Sequence, residues 1–134
     1  MSSVIFDASA VIAILKNERS VDFAARYLNN AIISSVNLQE VIKSLLMTNT
    51  SFMEIITMID TLKLDIRPHT VEDAYAAASL CFDTKIYGSG LGDRTCMALA
   101  IKEKIPVITT DQSWAKLEIE GLKVILARSE SKVV

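Results

Sequence analysis

Val4-Ile5-Phe6-Asp7 near the start of the chain and Val107-Ile108-Thr109-Thr110-Asp111 near its end are the stretches that decide the fold. Each is a short apolar run that stops on an aspartate. Continuous apolar runs of this kind suit strands buried on both faces, as in a parallel sheet covered by helices. If the two runs are neighbours, both aspartates stand at the carboxyl edge of one sheet, where open α/β folds bind ligands. Carboxylates gathered there repel one another unless a hard cation holds them. Oxygen-only donors of this sort point to Mg²⁺ or Mn²⁺.

Working outward, the strand over 3–6 leads into a helical pattern from about Ser9, with Val11, Ile12, Ile14 and Leu15 apolar. Residues 20–28 read as a helix and 31–34 as a strand. Ser35 to Asn37 offer N-cap types for a helix running to about Met47. Residues 51–62 read as a helix capped by Ser51, and 64–67 as a strand stopped by Pro68. Thr70 opens a helix to about Phe82, with Glu72 and Asp73 in its favourable first turn. A loop over 84–91 contains Gly88 and Gly90, and a helix follows from Gly92 or Asp93 to Lys104. A strand over 106–110, a short helix from Ser113 to Leu117 and a strand over 123–126 complete the chain. This alternation predicts an α/β fold: a mostly parallel central sheet of about four to five strands, with helices on both faces. One domain over 1–134 is expected, ending near 128, with 129–134 as a flexible tail.

Composition narrows the class. The chain has 134 residues, 51% of them hydrophobic, with only 4 Gly and 2 Pro, which leaves no room for long linkers or low-complexity tracts. No apolar run approaches the roughly 18–20 residues that span a bilayer. Met1-Ser2-Ser3 lacks a charged leader region, so no signal peptide and a cytoplasmic location are expected. Cys81 and Cys96 have no metal-like spacing and read as small buried residues of a reduced protein. The net charge is −2, and setting aside Asp7, Glu40, Asp93 and Asp111 as a metal site leaves +2 on the rest. That balance neither favours nor excludes a phosphate partner, and no strongly basic arm is present.

Glu40 falls early in the helix after the Ile32-Ile33 strand, where Val36, Leu38 and Val41 can pack while Glu40 projects toward the sheet edge. Asp93 stands at a helix start, where backbone N–H groups and the dipole favour a carboxylate. Strand ends and helix starts share one face of a parallel α/β fold, so all four acids are candidates for one site. Metal held by carboxylates suits phosphodiester hydrolysis and needs no protein nucleophile. The single histidine, His69, follows Pro68 and reads as a turn residue. The glycines at 88, 90 and 92 precede no Gly-Lys-Ser/Thr and do not make a phosphate loop; they read as a mobile loop beside Asp93.

At these residues the chain resembles the PIN domain family, and within it the VapC toxins of toxin–antitoxin pairs. Val4-Ile5-Phe6-Asp7-Ala8-Ser9-Ala10 resembles the family's opening block, and Ser34-Ser35-Val36-Asn37-Leu38-Gln39-Glu40 its second. Leu91-Gly92-Asp93-Arg94-Thr95-Cys96-Met97-Ala98-Leu99-Ala100 resembles the third, and Pro106-Val107-Ile108-Thr109-Thr110-Asp111-Gln112-Ser113-Trp114 the fourth. The resemblance implies an endoribonuclease dependent on Mg²⁺ or Mn²⁺ and acting on structured RNA such as tRNA or rRNA. Asp7, Glu40, Asp93 and Asp111 would be the acidic site. Ser9, and with it Thr110, would orient a carboxylate or a water by hydrogen bonding. Arg94 would be a phosphate contact. A cognate antitoxin, seated as a helix in a groove near residues 51–62, and a homodimer are also implied. The family's more basic rim is not matched in this acidic chain.

Each acid also has a plainer reading. Asp7, Asp93 and Asp111 are each suited to cap a helix, and Glu40 to an ordinary solvated helix face. Residues 52, 53, 55, 56, 58, 59 and 62 make the 51–62 helix apolar over more than one stripe, which fits burial on two sides as well as it fits a partner groove. The alternative function is a non-catalytic PIN-like module that binds protein or RNA; the intact set of acids argues against it. A phosphatase that phosphorylates its own aspartate would need an acid where Ser9 stands. A receiver would need paired acids near the first strand and a lysine at a late strand end, which are not in place.

Overall fold

The computed structural model describes residues 3–85 and 88–128. The chain runs β1 (Val4–Phe6), α1 (Ala8–Leu15), α2 (Val21–Ala25), β2 (Ala31–Ser34), α3 (Ser35–Leu46), α4 (Phe52–Leu62), β3 (Asp65–Arg67) and α5 (Val71–Ser79). It continues through α6 (Cys81–Thr84), α7 (Leu91–Glu103), β4 (Val107–Thr109), a 3-10 turn over Gln112–Lys116 and β5 (Val124–Leu126). The five strands form one sheet in the order β3-β2-β1-β4-β5, and every pairing is parallel. The α/β expectation holds, with five strands, all parallel, among the described residues.

The strand order reverses direction at β1. The chain steps outward through β2 and β3, then returns to place β4 on the other side of β1. Right-handed crossovers therefore send the early helices to one face and the later ones to the other. The two cores record this. Phe6, Ile33 and Ile108 pack with residues of α1, α3 and α4, whereas Ile5, Ile32 and Val107 pack with α5, α7 and Trp114. Alternate residues of each strand thus feed opposite cores, as the pleat requires. The reversal leaves a crevice at the carboxyl ends of β1 and β4, the usual ligand position in such folds.

Several local expectations shift. The cap of α3 is Ser34, whose Oγ accepts from Val36 N at 3.2 Å, rather than Ser35 or Asn37. The helix expected over 20–28 ends at Ala25, and Leu28–Asn30 form a 3-10 turn. The helix expected from Thr70 to Phe82 divides into α5 and α6 around Leu80. Its start is as expected, with Thr70 and Asp73 exchanging capping bonds. Cys96 is buried, but Cys81 is exposed. Periodicity placed Cys81 on a helix correctly, but it lies on the solvent side of α6. The loop over 84–91 includes Ile86 and Tyr87, which lie outside the described residues, as does the tail over 129–134. His69 sits in the turn after β3, its N–H donating to Ser35 Oγ at 3.1 Å.

The apolar helix α4 is not buried on two sides. Ile55 and Ile59 enter the core, while Phe52, Met53 and Ile56 stay exposed. Val71, Tyr75 and Phe82 form a second exposed apolar set on α5 and α6. Among the described residues, no helix is long and apolar enough to cross a membrane.

Candidate active site

Asp7 leaves the carboxyl end of β1 and is 5% exposed. Its backbone adopts the extended N-cap conformation before α1, yet its side chain makes no capping bond. The carboxylate is committed elsewhere: Oδ2 accepts from Ser9 Oγ at 2.7 Å and from Thr109 Oγ1 at 2.8 Å. The buried Cys96 thiol faces Oδ1 at 3.6 Å. Parallel pairing sets Phe6 against Ile108, so Asp7 and Thr109 follow in step on the same side of the sheet. The hydroxyl at Asp7 is consequently that of Thr109 and not that of Thr110. Thr110 contributes its backbone N–H, which donates to Ser9 Oγ at 3.0 Å.

Glu40 projects from α3 at one end of a cleft of about 400 Å³ that Asp7, Ser9, Lys43, Ser44 and Asp93 also line. A neighbouring cleft of about 490 Å³ is lined by Glu40, Lys43, Gly90, Leu91, Gly92 and Asp93. Glu40, Lys43 and Asp93 belong to both. Asp93 lies in the first turn of α7, where its Oδ2 accepts from Gly90 N at 3.1 Å. Asp111 starts the turn after β4. Its Oδ1 accepts from Ser113 N at 3.0 Å and Ser113 Oγ at 2.7 Å, and it lines neither cleft. Arg94 is tied back, its guanidinium donating to Ser89 O at 2.6 Å.

The acids sense one another. Burial pushes the Glu40 carboxyl above its ordinary range; the Asn37 amide opposes that, and the charges of Asp7 and Asp93 add to it. Burial and the charge of Asp7 likewise raise Asp93, with Asp111 adding to the rise against the Gly90 N–H. The ion pairs Arg67–Asp65, Arg67–Glu103 and Lys102–Asp73 lie away from these acids. Lys43 and Arg94 offset only part of the charge, since Glu40 and Asp93 both remain raised, and a crowd of acids offering only oxygen donors fits a hard divalent ion. The side chains are not drawn into a cage: among the described residues, no three His, Cys, Asp or Glu side chains stand close enough to grip one ion.

This crowding has a consequence for stability. A carboxyl raised on folding opposes the fold once ionised. The penalty sets in as pH rises through the window between the ordinary value and the raised one, and it vanishes below that window. Glu40→Gln is therefore expected to raise the melting temperature of the metal-free protein at neutral pH. The gain should shrink as pH falls toward about 4. Thermal melts in chelator across that range test this; a gain that grows on acidification would contradict it.

Sequence reasoning missed Thr109, Asn37, Cys96 and Lys43. Thr109 was readable from strand parity once β1 and β4 were paired. Asn37 and Lys43 lie three residues either side of Glu40, hence on its helix face. Nothing in the sequence singled out Cys96.

The architecture defines a class: a parallel α/β domain with an acidic cleft at the switch point of its sheet. The family model described as the PIN domain matches residues 4–120, and the chain belongs to that family. Solved structures share its fold at low identity. A toxin–antitoxin complex from Klebsiella pneumoniae is 20% identical with a TM-score of 0.69, covering 96% of this chain and 100% of its own. The DNA-bound VapBC of Salmonella typhimurium is 17% identical with a TM-score of 0.71, over 96% of this chain and 100% of that one. Mycobacterium tuberculosis VapC20, described as a sarcin–ricin loop cleaving toxin, is 16% identical with a TM-score of 0.69, over 87% and 97%. No curated protein is detectably similar in sequence.

Proposed function

We propose that the chain is a metal-dependent endoribonuclease, a VapC-like toxin that hydrolyses phosphodiester bonds of tRNA or rRNA in the cytoplasm and is restrained by a cognate antitoxin. The observation that carries this reading is the convergence of Asp7, Glu40 and Asp93 on one cleft at the switch point, with Asp111 near enough to act on Asp93. The toxin–antitoxin structures that share the fold support it, and the sarcin–ricin loop cleavage named for VapC20 supports the substrate class.

In this reading Asp7, Glu40, Asp93 and Asp111 hold Mg²⁺ or Mn²⁺. Such an ion, when bound, polarises a phosphoryl oxygen and acidifies a water. Ser9 and Thr109 both donate to Asp7 Oδ2 and so fix its rotamer. Lys43, one helical turn beyond Glu40 and on the rim of both clefts, offers positive charge to an incoming phosphate. Arg94 spends one donor on Ser89 and keeps others for phosphate. Phe52, Met53 and Ile56 supply the apolar face on which an antitoxin helix would sit. A homodimer would use a separate surface, for which Val71, Tyr75 and Phe82 are available.

Purified protein incubated with tRNA or an rRNA fragment is expected to cleave in Mg²⁺ or Mn²⁺, to stop in chelator, and to resume when the ion is restored in excess. Cleavage indifferent to chelator would overturn the reading.

A further inference from the structure

We propose that Asn37 and Gly92 form the seat of Glu40, with Asn37 acting as a positioning residue that holds this carboxylate at the cleft for a divalent cation. The inference rests on the metal-dependent reading above and assigns two residues to it that carry no charge.

Asn37 is fully buried in the first turn of α3, an unusual place for an amide. Its Nδ2 donates to Glu40 Oε1 at 2.8 Å and to Gly92 O at 2.9 Å. Both amide hydrogens are thereby used. One side chain thus joins the acid-bearing turn of α3 to the first turn of α7, next to Asp93. The Asn37 Oδ1 is buried without a partner. A residue serving only to fill this space would be better apolar, because an unpaired buried oxygen is unfavourable. The two directed bonds account for the amide.

Gly92 completes the seat by what it lacks. Its φ is not in the left-handed region, so the backbone does not require glycine there. Glycine is also the weakest helix former after proline. A Cβ at this position would fall on the Glu40 carboxylate itself. Glycine therefore leaves the space in which the carboxylate rests, and the Asn37 amide stops it from swinging out.

Mn²⁺ affinity, measured by calorimetry alongside thermal melts, tests the proposal in the wild type, Asn37→Ala, Gly92→Ala, Glu40→Gln and the Asn37→Ala/Glu40→Gln double variant. Asn37→Ala should weaken Mn²⁺ binding by about tenfold or more. Gly92→Ala should also weaken it while melting at the same temperature or higher, because the atoms nearest to the added methyl belong to the flexible end of Glu40. In the Glu40→Gln background, Asn37→Ala should cause no further loss. Wild-type affinity in Gly92→Ala, or an undiminished Asn37→Ala effect without the Glu40 carboxylate, would overturn the seat. Should Asn37→Ala fail to fold, Gly92→Ala decides. A wild type whose Mn²⁺ binding is absent, or survives Asp7→Asn, would overturn the metal reading itself, an outcome distinct from normal wild-type binding with unaffected variants.

Discussion

Asp7→Asn will fold like the wild type and lose RNA cleavage by on the order of 10³-fold, the scale seen when a principal electrostatic contact to a transition state is removed. The fold survives because asparagine keeps one oxygen where Asp7 Oδ2 accepts from Ser9 and Thr109. Activity fails because the full negative charge disappears from the buried end of the cleft. The change also removes a repulsion, since the charge of Asp7 helps raise both Glu40 and Asp93. The metal-free variant should therefore melt no lower than the wild type. Cleavage rates in saturating Mn²⁺ and melts in chelator provide the two readings. Cleavage at the wild-type rate would sink the mechanism, and lost activity with lost structure would leave Asp7 a structural residue only.

Trp114→Ala is expected to cost about 3–5 kcal/mol, the usual range for deleting a buried aromatic side chain. Trp114 is 2% exposed and packs into the core that holds Ile5, Val107 and Met97. Its backbone N–H donates to Asp111 O at 3.2 Å, within the turn that carries Asp111. A loss of that size is a large share of the roughly 5–15 kcal/mol that holds most domains together. It should lower the melting temperature by about 10 °C or more. The indole Nε1 is buried without a partner, so Trp114→Phe removes an unsatisfied donor and should retain most of the stability. Urea unfolding of both variants measures the difference; an alanine variant within about 1 kcal/mol of wild type would contradict the anchoring role.

The sheet was legible because its signals are local. Val4–Phe6, Ala31–Ser34 and Val107–Thr109 are apolar on both faces, and such strands need helices above and below. Helix ends were less legible where capping competes. Ser34, Ser35 and Asn37 are all capping types, and only the bond from Val36 N to Ser34 shows which residue is used. The placement of Asp7, Glu40 and Asp93 on one cleft follows the reading from strand ends and helix starts. Asp111 follows it less closely, because Ser113 two residues on supplies the nearest donors and turns the carboxylate toward the chain.

By itself, then, the sequence determined the order of elements, the parallel sheet, and which acids stand at its carboxyl edge. These follow from hydrophobic period and from residue type at element ends, which act over a few neighbours. Only the tertiary structure decided that Thr109 rather than Thr110 reaches Asp7, since that depends on the register between β1 and β4 across 102 residues. It alone decided that Asn37 ties Glu40 to Gly92, since α3 and α7 reach the cleft from positions 55 residues apart. It also decided that Cys81 and one face of α4 meet solvent. Side-chain contacts between distant segments depend on how the elements pack, and no local pattern records that.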